Sequence, residues 1–335
     1  MEQDLAPIAF AAAFSDDPKL ASLLKTSAAG AAAGNLAHFA TLDRIERRFA
    51  AERVPMVLLK GAAIAATAYR DTSLRSMTDL DIWIRHEDMP RAVAELRSLG
   101  FRQEAGLPHR PTELQRESRG ELVFRDERGG HGLVELHYGA FQGWWIRRVA
   151  APDDEALWER AEPVTAGRHA HRLAAEDAIL QTALHVAVSQ FSQAPWRGLM
   201  DLAVLARTGP VDWSTVAARA RAWRLATAAW LVLDTADRLI GLPGSASALA
   251  ALRPTLPRRG ALRAFVTPGS LLSGRDLTLK ARRHVFMMAL VDRRRDGARL
   301  VGRTLWPEPW WIAARYGRRV SRARHLWELF RHGEV

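Results

Sequence analysis

The sequence predicts an α+β protein, with a small mixed β-sheet flanked by helices and a larger all-helical C-terminal region. Residues 1–50 show helical periodicity, because apolar residues recur there at steps of three and four. Residues 51–150 alternate between strand and helix patterns, and residues 151–335 show helical patterns without a convincing strand. We therefore predict three parts with these boundaries: an N-terminal helical segment, an α/β core and a helical C-terminal region.

Local patterns predict the elements of the first two parts. One apolar stripe in the N-terminal segment predicts an amphipathic helix; it consists of Leu36, Phe39, Leu42, Ile45 and Phe49. In the core, short apolar runs predict buried strands, and the segments between them carry helix start and stop signals. In chain order the core elements are a strand at 54–60, a helix at 62–71, a strand at 77–85, a helix at 86–101 and two strands around a Gly-Gly turn within 120–138.

The C-terminal region contains long segments with helical periodicity, at 173–191, 196–207, 213–239 and 281–305. Its tail carries Trp306, Trp310 and Trp311 among many arginines. Arginine and tryptophan together could bind RNA through phosphate contacts and stacking. Because no RNA-binding motif accompanies them, we expect these tryptophans to pack the last helices, and we expect no stable nucleic-acid complex.

The composition indicates a protein of a reducing compartment. The 335 residues are 48% hydrophobic and include no cysteine, which excludes disulfides and zinc sites with cysteine ligands. The start, MEQDLAPIAF, lacks the basic residues of a secretory signal, and no segment is apolar enough to span a bilayer. We therefore expect a cytoplasmic protein without membrane association. The net charge of +11 favours polyanionic partners such as a nucleoside triphosphate (NTP), RNA or anionic lipid, although an arginine-rich composition explains this charge equally well.

Two aspartates, Asp79 and Asp81, stand in the otherwise apolar segment MTDLDIWIR. Side chains alternate along a strand, so both carboxylates point away from the face that carries Leu80, Ile82 and Ile84. Like charges this close raise each other's pKa. A divalent cation would relieve the repulsion, because carboxylate oxygens are the ligands that Mg²⁺ prefers. Such pairs are also common as solvated strand residues, so the pair alone leaves both interpretations open.

Glu135 in the segment GLVELHY is a third candidate ligand. It shares a strand face with His137, whereas the residues on either side of it face the core. If this strand pairs beside the strand with Asp79 and Asp81, three carboxylates converge. Such a cluster can hold two metal ions about 4 Å apart.

Candidate phosphate ligands surround the turn between the first strand and the following helix. Gly61 lies where backbone N–H groups and the helix dipole can receive a phosphate. Lys60 adds a positive charge beside it, and Arg75, four residues before Asp79, is within reach of a triphosphate. The competing interpretations are a plain tight turn, a lysine at a strand end and an ion pair between Arg75 and the aspartates.

The segment LLKGAAIAATAYRDTSLRSMTDLDIWIRHEDMPRAVAELRSLGF, with VELHY downstream, resembles an uncharacterised bacterial nucleotidyltransferase family of the polymerase-β-like nucleotidyltransferase superfamily. LHVAVSQF and RTLWPEPWWIAARYG resemble its C-terminal region, so the resemblance covers most of the chain. It implies a sheet of the nucleotidyltransferase type, with Mg²⁺ (or Mn²⁺) held by Asp79, Asp81 and Glu135. It also implies an NTP donor, with ATP expected. The chain departs from the superfamily's Gly-Ser turn, because it has Lys60-Gly61-Ala62 there.

The resemblance implies a reaction class and leaves the acceptor open. A nucleoside monophosphate would move from the NTP to a hydroxyl group of a peptide, a small molecule or RNA, with a peptide or small-molecule tailoring step favoured. The basic composition keeps open a toxin-like modifier of tRNA or protein. The altered Gly-Ser turn keeps open a non-catalytic nucleotide-binding or scaffolding module.

Three further residues are candidates for contact with the acceptor or for support of the ligands. His137 could orient the acceptor or a water molecule, and Arg70 lies between the turn and the aspartates. Trp83 could stack on a base, or it could seal the sheet against a helix. For Asp201 we expect an ion pair with Arg197 at i−4 on one helix.

Overall fold

The computed structural model describes residues 18–104, 120–127, 133–165, 169–192, 195–273, 280–316 and 320–332. The strands are β1 Met56–Leu58, β2 Leu80–Trp83, β3 Phe101–Gln103, β4 Glu121–Asp126, β5 Leu133–His137, β6 Glu162–Pro163 and β7 Ala170–Arg172. The helices of the sheet region are α1 Pro18–Ala51, α2 Lys60–Thr67, α3 Met89–Ser98, α4 Trp144–Val149 and α5 Asp154–Glu159. The later helices are α6 Ala175–Val188, α7 Pro195–Thr208, α8 Trp213–Ala222, α9 Ala226–Ile240, α10 Ala246–Leu252, α11 Leu256–Phe265, α12 Pro268–Ser273, α13 Lys280–Ala289, α14 Arg294–Leu305, α15 Pro309–Tyr316 and α16 Arg322–His332.

The strands form one mixed sheet in the order β3-β4-β5-β2-β1-β7-β6. Strand β2 lies at its centre, parallel to β5 and antiparallel to β1. The expected α+β class with a mixed sheet and many helices is confirmed. So is the expected pairing of β5 beside β2, which sets Asp81 directly opposite Glu135.

Each face of the sheet packs against a different set of helices. One face packs on α1 and α3 and buries Leu80 and Ile82 of β2 together with Ile84, which follows this strand. The opposite face packs on the helices that follow β7, and Trp83 belongs to that second core. Because both faces are covered, β2 is buried along its length, and its polar side chains point into a space between the sheet and the later helices.

The N-terminal stripe is confirmed for the residues nearest the sheet. Leu42, Ile45 and Phe49 are buried against it, and Phe39 is partly buried against the same core. Leu36 is 72% exposed and does not belong to this core, so the predicted stripe does not extend to it.

Three short strands were not predicted, and the expectation of no strand after residue 150 is wrong. Strand β3 follows α3 directly, and β6 and β7 extend the sheet beside β1. Strand β7 pairs in parallel with β1, and Glu46 accepts hydrogen bonds from the backbone at its start. A three-residue strand with two polar side chains carries too little alternation to be recognised, since its pairing comes from the backbone.

The C-terminal helices differ from the sequence prediction in three places. The segment 213–239 forms two helices, α8 and α9, and Arg224 adopts a positive φ of 62° between them. The segment 281–305 likewise forms two helices, α13 and α14. In the tail, Trp311 is 7% exposed, whereas Trp306 and Trp310 are 57% and 47% exposed. The expected packing of the tail tryptophans therefore holds for Trp311 alone among these three. Within the described residues, no helix has the length and apolar character needed to cross a bilayer.

Candidate metal and nucleotide site

The register of β2 and β5 brings the predicted acidic residues together. Asp81 and Glu135 are direct partners on these parallel strands, and Trp83 is the partner of His137. One ligand atom from each of Asp81, Glu135 and His137 lies within 4.8 Å of the others. Asp79, just before β2, lines the same cavity and lies outside this three-residue group, so its role as a ligand stays a prediction.

Asp81 is the centre of the site. Its side chain is 4% exposed, and its Oδ1 accepts hydrogen bonds from Lys60 Nζ at 2.6 Å and from His137 Nε2 at 2.8 Å. Lys60, the first residue of α2, has a positive φ of 46°, which is uncommon for a residue with a side chain. The strained backbone turns the lysine into the acidic cluster, so in this structure its ammonium group binds Asp81.

The charges of the site perturb one another strongly. Burial would raise the pKa of Asp81, but Lys60 and the hydrogen bond from His137 outweigh burial and hold this pKa below its usual range. Burial and the charges of Asp81 and Glu121 raise the pKa of Glu135 to about 9. Burial and Asp81 also raise the pKa of Asp79. Ionising all of these carboxyl groups together would thus place more negative charge in the cluster than Lys60 alone compensates.

Three polar residues of the site were missed by the sequence analysis. Glu121 of β4 is 7% exposed, and its Oε2 lies 3.7 Å from His137 Nδ1. The Gln142 side-chain amide contacts the same imidazole nitrogen. Gln181 Oε1 accepts a hydrogen bond from the Lys60 backbone N–H at 3.3 Å. The alternation in GELVF places Glu121 on the sheet face opposite to that of Leu122. This alternation could have indicated from the sequence that Glu121 lies on the same face as the other acidic residues.

Arg75 is held in a buried ion pair. Its Nη2 and Nε donate to Asp201 Oδ2 and Oδ1 at 2.8 Å and 3.2 Å, and the Tyr69 hydroxyl donates to Asp201 Oδ1 at 2.9 Å. Burial opposes the charge of Arg75, but Asp201 outweighs it and raises the pKa of the guanidinium. The structure pairs Asp201 with Arg75, from another part of the chain, and the expected ion pair of Asp201 with Arg197 stays a prediction. The predicted contact of Arg75 with a triphosphate stays a prediction, and its guanidinium is committed to Asp201 here.

A side-chain amide of α1 fixes the loop that carries Arg75 and leads to Asp79. Asn35, 1% exposed, donates to the carbonyls of Thr72 and Arg75 at 2.6 Å and 2.8 Å, and it accepts from the Met77 N–H at 3.0 Å. All three partners are backbone groups, so the amide holds the path of the loop. The entry to β2 is therefore positioned from the helical layer.

Gly61 leaves room for the Arg75 guanidinium. A Cβ atom built on Gly61 would lie 2.6 Å from Arg75 Nη1. We expect Gly61→Ala to destabilise the protein by about 1–3 kcal/mol, because the Arg75 guanidinium is held in place by Asp201. Chemical denaturation measures this.

The matched control for this substitution is Gly30→Ala in α1, where nothing lies within 4 Å of the added Cβ. It should raise stability by about 0.5–1 kcal/mol, as usual for a glycine inside a helix. Equal effects of the two substitutions would contradict the close approach of Arg75 to Gly61.

The three further candidates lie in different environments. His137 is fully buried against Asp81, where it can orient that carboxylate. Trp83 is 3% exposed and packs edge-on against Trp158 at 4.8 Å, as the sealing interpretation expected. Arg70 is exposed and is not among the residues that line the cavity.

The acidic cluster opens into a cavity of about 880 Å³ between the sheet and the later helices. The sheet side contributes the carboxylates. The helical side contributes Arg197 of α7, Arg283 of α13 and Arg315 of α15, with Trp144 and Trp311 nearby. The cavity therefore has an acidic wall that faces a wall rich in arginine.

The sequence model of a family described as uncharacterised nucleotidyltransferase matches residues 2–241. No curated protein matches the chain. Among solved structures, the chain is similar to the crystal structure of ANT(2")-Ia in complex with adenylyl-2"-tobramycin, with a TM-score of 0.40 and 17% identity over 55% of this chain and 95% of that chain.

Proposed function

Since this chain belongs to the uncharacterised nucleotidyltransferase family, we propose that it transfers a nucleoside monophosphate from an NTP to an acceptor hydroxyl with the help of a divalent metal ion. One observation supports both the proposed dependence on a metal ion and the proposed location of the site. Asp81 and Glu135 are register partners on parallel strands, and their ligand atoms lie with that of His137 within 4.8 Å, at the wall of a cavity.

The residues of this cluster fit a divalent ion. Two carboxylates supply hard oxygen ligands, which suit Mg²⁺ and Mn²⁺. The raised pKa values of Asp79 and Glu135 indicate that ionising both groups would leave an excess of negative charge, which a cation would relieve. When bound, such an ion would offset the negative charge of the reacting phosphates.

The chain's own groups have separate roles in the proposed reaction. The acceptor oxygen attacks the α-phosphorus, the bond from the α-phosphorus to the bridging oxygen breaks, and pyrophosphate leaves. Glu135 loses its own proton once a bound cation offsets the charges that raise its pKa, and its carboxylate can then accept the proton of the acceptor hydroxyl. His137 holds Asp81 through its Nε2. Lys60 can turn to a phosphate oxygen once Asp81 is neutralised by another cation.

Label transfer tests the proposed function. The protein is incubated with each NTP labelled at the α-phosphate, Mg²⁺ and a lysate of the source cell, and both pyrophosphate and labelled acceptors are measured. We expect pyrophosphate release that EDTA abolishes, with ATP as donor and a peptide or small molecule labelled. Labelled tRNA or protein would instead identify a toxin-like modifier. NTP binding without pyrophosphate release would contradict the proposal and favour a nucleotide-binding module.

The Glu135→Gln variant should lose at least about 10²-fold in label transfer, because it removes a metal ligand and the proton acceptor. Glu95→Gln is the matched control, since the Glu95 side chain is 14% exposed, against 15% for Glu135, and binds Arg48 on α1. If the Glu135→Gln variant transferred label as fast as the wild-type protein, Glu135 would have no role in the reaction.

Lys60 and a divalent ion compete for Asp81, so Lys60→Met should bind Mn²⁺ more tightly in the absence of NTP. We expect a gain of about tenfold or more, because the substitution removes a positive charge 2.6 Å from the carboxylate. Electron paramagnetic resonance of free Mn²⁺ measures the affinity. Lys25→Met on the exposed part of α1 is the control and should leave it unchanged. An equal affinity of the Lys60→Met variant for Mn²⁺ would contradict this competition. A weaker affinity would show that Lys60 helps to bind the ion.

A further inference from the structure

We propose that Arg283 and Arg315, on helices α13 and α15, bind the triphosphate of the NTP. The inference rests on the proposed function and deepens it, because it assigns the phosphate-binding wall of the cavity. Both arginines lie after residue 241, where the match to the family model ends. The site would then be completed by a part of the chain that this match does not cover.

The cations on the sheet side are each engaged by a carboxylate. Lys60 Nζ lies 2.6 Å from Asp81 Oδ1, and Arg75 makes two hydrogen bonds to Asp201. The Arg75 pair is buried on both sides, with 8% and 2% of the side chains exposed, so separating it would leave a buried charge without compensation. Lys60 becomes available to a phosphate only when a cation has taken its place at Asp81, and it supplies a single charge. A triphosphate bound in this cavity therefore needs further positive charge from the helices that line it.

Arg283 and Arg315 are fixed on the opposite wall by contacts with their own surroundings. Arg283 Nη2 donates to the carbonyl of Val188, the last residue of α6, at 3.3 Å. Arg315 stacks on the buried Trp311 ring, with its Cζ 5.6 Å from the ring centroid. The Val188 contact uses one of the five donors of the Arg283 guanidinium, and the contact with Trp311 places the Arg315 guanidinium at the cavity.

The wall that carries these arginines is attached to the sheet region. Trp145 Nε1 of α4 donates to the carbonyl of Met287 of α13 at 2.9 Å, and both residues line the cavity. Trp145 is 1% exposed, so this contact holds α13 at a fixed place beside the cavity. Arg283, one turn earlier on α13, is thereby presented to the same space as the acidic cluster.

The charge pattern favours a phosphate chain over other ligands. A metal-bound triphosphate needs carboxylates for its cation and hydrogen-bond donors for its oxygens. The planar guanidinium of arginine matches phosphate oxygens with two parallel N–H donors. The cavity presents carboxylates on the sheet and arginines on the helices, which is the arrangement that such a ligand requires.

Calorimetric titration tests the assignment. The ligand is an ATP analogue with a methylene group between the α- and β-phosphates, in the presence of Mg²⁺, and tripolyphosphate is a competitor. For the full-length Arg283→Gln and Arg315→Gln variants we expect at least tenfold weaker binding of the analogue and a matching loss for tripolyphosphate. Arg283→Lys should recover part of the affinity, because it restores the charge.

Arg282→Gln is the matched control, because Arg282 is the neighbour on α13 and lies over the Phe265 ring at 5.7 Å, away from the cavity. It should bind the analogue like the wild-type protein. If both test variants bind the analogue with wild-type affinity, the inference is wrong and the proposed function stands. The same conclusion follows if the variants lose only the transfer to the acceptor and still bind the analogue normally. A wild-type protein that binds no analogue would overturn the proposed function and this inference with it.

Discussion

Asp81→Asn is expected to lower nucleotidyl transfer by at least roughly 10³-fold while the protein stays folded. Asparagine keeps the shape of aspartate and removes its charge. Asp81 is the group that Lys60 and His137 both contact, and it lies opposite Glu135 in the sheet. Removing the charge of Asp81 therefore weakens its contacts with Lys60 and His137 and removes a negatively charged metal ligand beside Glu135. Pyrophosphate release at saturating NTP measures the loss.

The chain supplies a close control for this substitution in Asp126 of β4. The Asp126 side chain is 4% exposed, as is that of Asp81, and it pairs with Arg44 at 2.6 Å, the distance between Lys60 and Asp81. Asp126→Asn should cost similar stability and leave transfer unchanged. Transfer in Asp81→Asn within tenfold of this control would refute the central role of Asp81. Equal loss in both variants would show that activity only follows the stability of the sheet.

The acidic face of the sheet could be predicted because strand alternation is a local property. In β2 and β5 the side chains that face the first core are apolar, and Asp81, Glu135 and His137 occupy the other positions. Each strand thus shows from its own sequence which face is polar. That the two strands lie side by side was a separate condition of the prediction, and the parallel pairing of β2 with β5 meets this condition.

The partners of the basic residues could not be predicted, because they are distant in sequence. Lys60 and Asp81 are 21 residues apart, and Arg75 and Asp201 are 126 apart. A pattern at i−4 suggested Arg197 for Asp201 because helical spacing is visible in a sequence. Only the packing of α7 against the loop before β2 brings Arg75 to that carboxylate.

Because of this packing, the ion pair of Arg75 with Asp201 is expected to matter for the stability of the site, in addition to Asp81. Asp201→Ala should destabilise the protein by about 3–5 kcal/mol, because it leaves the Arg75 guanidinium buried without a counter-charge. The Tyr69 hydroxyl loses its acceptor as well. Urea denaturation measures the change in the free energy of unfolding.

Asp234→Ala is the control for Asp201→Ala. Asp234 likewise pairs with one guanidinium, that of Arg263, from which it accepts three hydrogen bonds. The Arg263 side chain is 41% exposed. Because water can solvate Arg263, the loss should be about 1 kcal/mol or less. Losses of equal size at the two aspartates would show that the burial of Arg75 carries no special penalty.

Replacing the whole buried group separates the two roles that Arg75 could have. The triple variant Arg75→Met, Asp201→Leu, Tyr69→Phe removes both charges and the hydroxyl, so its stability should return to within about 1–2 kcal/mol of the wild-type value. We expect it to bind the methylene analogue of ATP within about threefold of the wild-type protein. In that case Arg75 positions the loop before β2, while the arginines of α13 and α15 hold the phosphates. A stable triple variant that fails to bind the analogue would make Arg75 a phosphate ligand, and its ion pair with Asp201 would then have to open when the nucleotide binds.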